Sequence, residues 1–144
     1  MPYATRTDIE DIFGIENVQT WGNMEAGDVQ DAGVLTAIAN RITRAITHAD
    51  DMINAMLSGS DYEIPLNAKP SKSIGLITTA SAELAGCWLY EARGLDNKDD
   101  EGRPYNRYSA KRKAALQMIK DIADGSIKID AVAGTTGVNV PFVV

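Results

Sequence analysis

Residues 34–57 read VLTAIANRITRAITHADDMINAML, and no other stretch constrains the fold as strongly. Apolar side chains recur there at alternating intervals of three and four residues, the period of one helix face. The repeating positions are Leu35, Ile38, Ile42, Ala45, Ala49, Met52 and Met56, and Ile46, Ile53 and Leu57 widen the stripe. The pattern predicts an amphipathic helix with a broad buried face, capped by Asp31. We expect the two methionines to fill the core rather than to line a partner's groove.

Three further helices are predicted on either side of this one. A short helix over 8–13 has Thr7 as its cap and Glu10 at the spacing of a capping box. A helix over 71–93 is rich in small side chains, and the mid-helix Gly86 predicts close approach of another helix. A fourth helix is expected over 105–124.

The connecting segments contain few strand patterns. Residues 15–33 are expected to form a loop with room for one extra turn, and residues 95–104 a polar connector. Residues 126–129 alternate polar and apolar side chains as a strand does. Residues 131–144 carry no charged side chain, so we expect them to pack on their own domain or to pair with another chain.

These elements predict an all-α fold. Its three main helices would form a small antiparallel bundle, with the short N-terminal helix docked on it. Residues 1–130 would be the helical domain and residues 131–144 an extended, apolar C-terminal arm. We expect deletion of that arm to leave the bundle folded and to impair assembly.

The chain's charge is unevenly distributed. It has 144 residues, 44% of them hydrophobic, and a net charge of −6. Seven acidic side chains and Arg6 lie in residues 1–33, so the whole imbalance lies there. A general nucleic-acid-binding protein needs a basic surface to release phosphate counterions, and this balance argues against that class.

Several other classes of protein are excluded by composition. No apolar run approaches the roughly 20 residues that span a bilayer, and the N-terminus lacks the apolar segment of a signal peptide. The single cysteine excludes an internal disulfide framework and a cysteine-rich zinc site. We therefore expect synthesis in a reducing cytoplasm and no contact with a membrane.

Candidate catalytic and metal-binding residues are few. His48, the only histidine, has Asp51 three residues later, but two ligands are too few for a dedicated metal site. We interpret His48 as a surface residue and Cys87 as a buried structural thiol, because no histidine lies near it in sequence. We expect no enzyme activity, no metal and no cofactor.

Three glycine- or aspartate-containing stretches also lack the context of a known site. Residues 58–61 lack the strand and helix of a nucleophile elbow. Residues 134–137 lack the lysine and helix of a phosphate-binding loop. The acids of residues 96–101 do not follow EF-hand spacing, which argues against calcium binding.

A basic cluster follows the polar connector. It consists of Arg103, Arg107, Lys111, Arg112 and Lys113, and no acidic residue interrupts it. The cluster is compatible with contact to phosphates, with contact to the acidic N-terminal third of a second copy, and with a solvated helix start. Positive charge at a helix start opposes the helix dipole, which mildly favours a partner.

Short motifs spread over about residues 3–130 carry a resemblance to a known family. The chain opens with Tyr3-Ala4-Thr5, followed by Asp8-Ile9 and Phe13-Gly14. This opening is similar to the start of the Mu-like phage neck proteins. Matching positions farther on are Ile46, Ala49, Asp50, Ile53, Leu57, Tyr62, Pro65, Leu66, Pro70, Ile74, Ala80, Leu84, Tyr90, Arg107, Tyr108, Ala115, Leu116, Ile119, Gly125 and Ile127. These neck proteins are in turn similar to head-completion, or head–tail connector, proteins of long-tailed phages.

The resemblance implies a structural protein of the virion. It would assemble as a ring on the portal protein, bind a tail-side neck or tail-completion protein, and let DNA pass without sequence-specific binding. The candidate interface residues are Asp8, Glu10, Asp11, Arg103, Arg107, Lys111, Arg112, Lys113, Val138, Val140, Phe142 and Val143. The alternative function is a helical DNA-packaging accessory or regulator that binds nucleic acid through the basic cluster.

Overall fold

Five α-helices and one pair of very short strands make up the described part of the protein. A computed structural model describes residues 2–66, 74–94 and 97–129. The elements are α1 (Arg6–Phe13), α2 (Ile15–Gly22), α3 (Ala32–Leu57), α4 (Ile74–Arg93), β1 (Asn97–Lys98), β2 (Pro104–Tyr105) and α5 (Ser109–Ala123). The predicted all-α bundle is therefore confirmed. The predicted helix start at residues 71–73 and the arm at residues 131–144 lie outside the described residues.

Helix α4 is the centre of the bundle, because it packs against each of the other four helices. It runs antiparallel to α3: Asp50 of α3 meets Ser81, whereas the earlier His48 meets the later Trp88. The same reversal relates α4 to α5, since Lys111 contacts Glu83 and the preceding Tyr108 contacts Cys87. The three long helices therefore alternate in direction, as the sequence predicted.

Helix α3 forms as its apolar period predicts. Asp31 caps it by accepting a hydrogen bond from the Gly33 N–H at 2.7 Å. The buried positions are Ile38, Ile42, Ala45, Ala49, Ile53 and Leu57, and Met52 and Met56 pack partly buried against them. Leu35, predicted to be part of the stripe, is instead 42% exposed in the first turn. The stripe thus begins one turn later than its spacing indicates.

The start of α1 differs from the prediction. Thr5, not Thr7, is the cap, and its side chain and Asp8 form a reciprocal capping box. Two Thr-x-x-acid patterns overlap here, and the observed one begins the helix at Arg6, which places Ile9 and Phe13 in the core. Glu10 is left to pair with Arg6 at 3.0 Å.

Residues 15–33 are more ordered than predicted. Instead of a loop, the chain forms the eight-residue helix α2, separated from α1 by Gly14 at φ +95°. Val18 and Trp21 are buried on one side of α2. Their three-residue spacing was the available helix signal. Because an isolated helix this short is marginal in water, contacts with α1, α3 and α4 stabilise it.

Helix α5 begins four residues later than predicted, at Ser109. Asn106 ends the preceding segment by accepting a hydrogen bond from the Tyr108 N–H at 2.9 Å, a local alternative to helix. Upstream, β2 pairs antiparallel with β1. Asp99 accepts hydrogen bonds from the Glu101 and Arg103 N–H groups within the turn between them. The polar connector therefore contains a short hairpin.

The segment after α5 does not form the predicted strand. Ile127 donates its N–H back to the Asp121 carbonyl at 3.0 Å, and Ile129 donates its N–H to the Tyr62 hydroxyl at 3.1 Å. Ile129 is buried. The alternating pattern of residues 126–129 therefore reflects the burial of Ile129 beside the loop that follows α3.

Candidate functional site

The acidic residues of α1 have different environments. Asp8 is used locally, since its carboxylate accepts hydrogen bonds from the Thr5 N–H and hydroxyl at 2.8 and 3.0 Å. Glu10 pairs with Arg6. Asp11 is exposed and makes no ion pair within the described ranges. Of the three predicted interface acids on α1, Asp11 is therefore the one available to a partner.

Four more acids continue this surface. They are Glu16, Glu25, Asp28 and Asp31, and all four are exposed. We call residues 8–31 the acidic segment, because they hold seven carboxylates and no basic side chain. Within the described part of the chain, its only ion pair is the one between Glu10 and Arg6. Most of its negative charge is thus not neutralised by the described residues of the protomer.

The basic cluster, by contrast, is largely neutralised by acids from elsewhere. Arg103 contacts Asp99 and Glu101 at 3.0 and 3.1 Å within the hairpin. Two acids of α4 form ion pairs with cations at the start of α5. Glu83 pairs with Lys111 at 3.4 Å, and Glu91 pairs with Arg112 at 3.9 Å. Because no acid lies inside the cluster's own sequence, the sequence alone overestimates the positive charge that the cluster presents.

Arg107 and Lys113 are the members of the cluster without an ion pair in the described ranges, and both are exposed. The Arg107 guanidinium lies 5.4 Å from the centre of the Tyr108 ring, a cation–π geometry. These two cations are fewer than the roughly six to ten phosphate contacts of a protein whose DNA affinity depends steeply on salt.

An aromatic cluster brings the acidic segment and the basic cluster to the same region. Phe13, Trp21, Tyr90 and Tyr108 make edge-to-face contacts at 5.0–5.5 Å between ring centres. Lys111 lies 6.0 Å from the Phe13 ring. The end of α1 therefore adjoins the basic cluster within one protomer. The predicted interface residues Val138, Val140, Phe142 and Val143 lie outside the described residues.

A polar junction ties the N-terminus to the bundle, and the sequence prediction missed it. Asp50 accepts hydrogen bonds from the Tyr3 N–H at 3.2 Å and the Ser81 hydroxyl at 3.1 Å. The Tyr3 hydroxyl donates to Asn54 and accepts from the Leu66 N–H. Burial raises the pKa of the Asp50 carboxyl above its ordinary value, against the lowering effect of these hydrogen bonds. The sequence held one signal for this junction. Asp50 is a carboxylate that directly follows Ala49, a member of the apolar stripe of α3, so it was placed close to the core.

The two reactive side chains have structural environments. Cys87 is buried, and burial with the nearby Glu91 and Glu83 raises the pKa of its thiol to about 12. It is therefore an inert thiol at neutral pH. His48, predicted to lie on the surface, is instead half-buried and stacks on Trp88 at 5.6 Å. The described residues contain no group of three or more potential metal ligands.

Two of the cavities on the bundle surface lie between helix ends and neighbouring loops. One of about 330 Å³ lies between the loop after α3 and the end of α5, bordered by Tyr62 and Lys128. The other, of about 280 Å³, lies between the end of α2 and the start of α3 and is bordered by Arg41. No helix in the described ranges is both long and apolar enough to cross a bilayer.

Comparison with known proteins identifies a phage relationship. The family model described as "Bacteriophage Mu, Gp36" matches residues 3–140. This match includes the whole region in which the sequence resembles Mu-like neck proteins. No curated protein matches the chain significantly.

Proposed function

The chain belongs to the bacteriophage Mu Gp36 family, and on that premise we propose that it is a head–tail connector, or head-completion adaptor. It assembles as a ring on the portal protein at the capsid vertex. The opposite side of the ring binds a tail-side neck or tail-completion protein. The protein acts by binding and performs no catalysis.

The observation that carries the proposal is the unneutralised charge of the acidic segment. A protein that joins others uses a concentration of exposed carboxylates to select and orient its partners. Asp11 and Glu25 are exposed members of the segment, and neither makes an ion pair within the described residues. The same negative charge, where it faces the channel of a ring, keeps passing DNA from adhering.

The environment of the basic cluster favours this function over nucleic-acid binding. Three of its five cations have acidic partners within the protomer. Phosphate binding through these side chains would require those ion pairs to be exchanged. Arg107 and Lys113 remain for contact with an acidic protein surface, such as that of the portal or of a second copy.

A co-sedimentation experiment tests the proposal. Heads that carry a portal but lack connector and tail are mixed with the purified full-length chain at increasing salt concentration. We expect the chain to sediment with the heads at low salt and to bind less as salt screens surface charge. Failure to bind portal-bearing heads at any ionic strength would contradict the proposed function.

A matched pair of variants shows whether the acidic segment takes part. The double variant Asp11→Asn/Glu25→Gln removes two exposed carboxylates from the segment. The control Asp61→Asn/Glu63→Gln removes two exposed carboxylates from the loop after α3. We expect the first variant to bind heads more weakly than the control. Equal binding by both would remove the acidic segment from the interface.

A further inference from the structure

The cavity of about 280 Å³ has the size and the apolar lining to hold a side chain of a partner. Its apolar wall is formed by Met24, Val34, Ala37 and Ile38, at the junction between the turn after α2 and the first turns of α3. Pockets for small molecules usually have volumes of roughly 300–1,000 Å³ and bury most of their ligand. This cavity falls just below that range, which favours one or two inserted side chains over a cofactor.

One wall of the cavity carries a cation that has no acidic partner among the described residues. Arg41 lines the cavity, and its guanidinium lies 4.7 Å from the centre of the Trp88 ring. The Arg41 Nε is buried and has no hydrogen-bond partner in the described part of the chain. Glu25 borders the same cavity without forming an ion pair with Arg41. A carboxylate brought in from outside would pair with the Arg41 guanidinium through a charge-assisted hydrogen bond.

The complementary pair of side chains lies at the other end of α2. Ile15 is 64% exposed, the highest fraction among the large apolar side chains in the described ranges. The adjacent Glu16 is also exposed and makes no ion pair there. Helix α2 rises about 1.5 Å per residue, so Ile15 lies roughly 10 Å along the axis from Gly22, which borders the cavity.

We propose that the cavity receives Ile15 of a second copy of this chain, and that Glu16 of that copy pairs with Arg41. The protruding residues and the cavity lie at opposite ends of one helix, so each copy offers both halves of the contact. Such a contact is heterologous, and its repetition builds a ring or a filament. This inference rests on the proposed connector function and identifies the subunit contact within the ring.

Disulfide trapping tests the contact directly. The double variant Ile15→Cys/Ala37→Cys places one thiol on the protruding end of α2 and one at the cavity, and diamide serves as oxidant. The native Cys87 is buried and its thiol has a pKa of about 12, so it does not compete. We expect a ladder of covalent oligomers from the double variant and monomers from each single variant.

Variants that block the contact provide an independent measurement. Ile15→Ser removes the protruding apolar side chain. Ala37→Glu places a carboxylate four residues before Arg41, where it fills the cavity and pairs with that arginine. Each change should weaken self-association about tenfold or more. The control Leu76→Ser changes another exposed apolar side chain, on α4, and should have no effect.

Mixing the two blocked variants identifies the direction of the contact. Ile15→Ser retains the cavity, whereas Ala37→Glu retains the protruding residues, so the mixture should form dimers and nothing larger. A ladder from the double cysteine variant supports the contact. If the wild-type chain binds heads but no ladder forms, the contact is overturned and the connector function stands. If neither binding nor a ladder is seen, both are overturned, and a dimer of Ile15→Cys alone would contradict a heterologous contact.

Discussion

Gly86 of α4 packs directly against the ring of Phe13 of α1. A Cβ at residue 86 would lie 2.7 Å from Phe13 Cζ and closer still to two other ring carbons. Phe13 in turn contacts Trp21 and Tyr108, so the missing side chain of one glycine allows the whole aromatic cluster to form. The sequence predicted a close approach at Gly86, and the structure identifies its partner.

Substitution of this glycine should therefore destabilise the protein. We expect Gly86→Ala to lower the free energy of unfolding by about 1–3 kcal/mol through overpacking. This loss should appear although alanine has the better helix propensity by about 1 kcal/mol. The control Gly75→Ala, where nothing lies within 4 Å of the new Cβ, should be neutral or stabilising. Denaturant titration measures both, and equal changes at the two sites would contradict the packing described.

The polar junction predicts a pH effect on stability. Because the folded pKa of Asp50 is raised above 3.8, its contribution to stability is fully present below that pH and is lost as pH rises through the folded value. Asp50→Asn should remove this loss. The free energy of unfolding of the wild-type protein, measured relative to that of the variant, should therefore fall as the pH rises. Asp99, whose pKa is lowered by hydrogen bonds from Arg103, should show the opposite slope in Asp99→Asn. Slopes of the same sign would contradict the assignment.

The short helix α2 should depend on the anchoring of Trp21. We expect Trp21→Ala to lower the free energy of unfolding by about 3–5 kcal/mol, since it removes a buried ring that contacts three other aromatic side chains. Hydrogen exchange should speed up across Ile15–Gly22. The control Ile15→Ala, at an exposed position, should change stability by no more than about 0.5 kcal/mol. Retained protection in α2 of the tryptophan variant would show that other contacts hold it.

Nucleic-acid binding distinguishes the proposed connector from the alternative function. Because Arg103, Lys111 and Arg112 have acidic partners, we expect no shift of DNA in a gel at low salt. Neutralising all five cations of the basic cluster with glutamine should then change nothing. A shift that disappears in the glutamine variant and falls steeply with salt would support a DNA-packaging accessory instead.

Sequence patterns predicted the long elements better than the short ones. Helix α3 has six buried apolar side chains at helical spacing, which is enough to define its face without knowledge of its neighbours. Helix α2 has two strong anchors, Val18 and Trp21, between Gly14 and Gly22, and its stability comes from other helices. The local sequence pattern carries little information about contacts with other helices, so the segment was predicted as a loop.

The sequence predicted which charged residues make up the candidate site, but not the contacts that those residues make in the fold. The acidic segment is visible in the sequence, and five of its seven carboxylates are exposed in the structure. The charge of the basic cluster was overestimated, because Glu83 and Glu91 lie about 20 residues or more from their partners along the chain. The cavity beside Arg41 depends on the placement of α2 and had no sequence signal.

Electron cryomicroscopy of the head–tail junction tests the central claim most directly. Virions assembled with the full-length chain should show a ring between portal and tail whose repeating unit fits the five-helix bundle. Particles made without the chain should show filled or portal-bearing heads that lack this ring and lack tails. Purified virions with complete tails and no density or peptide from this chain would contradict the connector function.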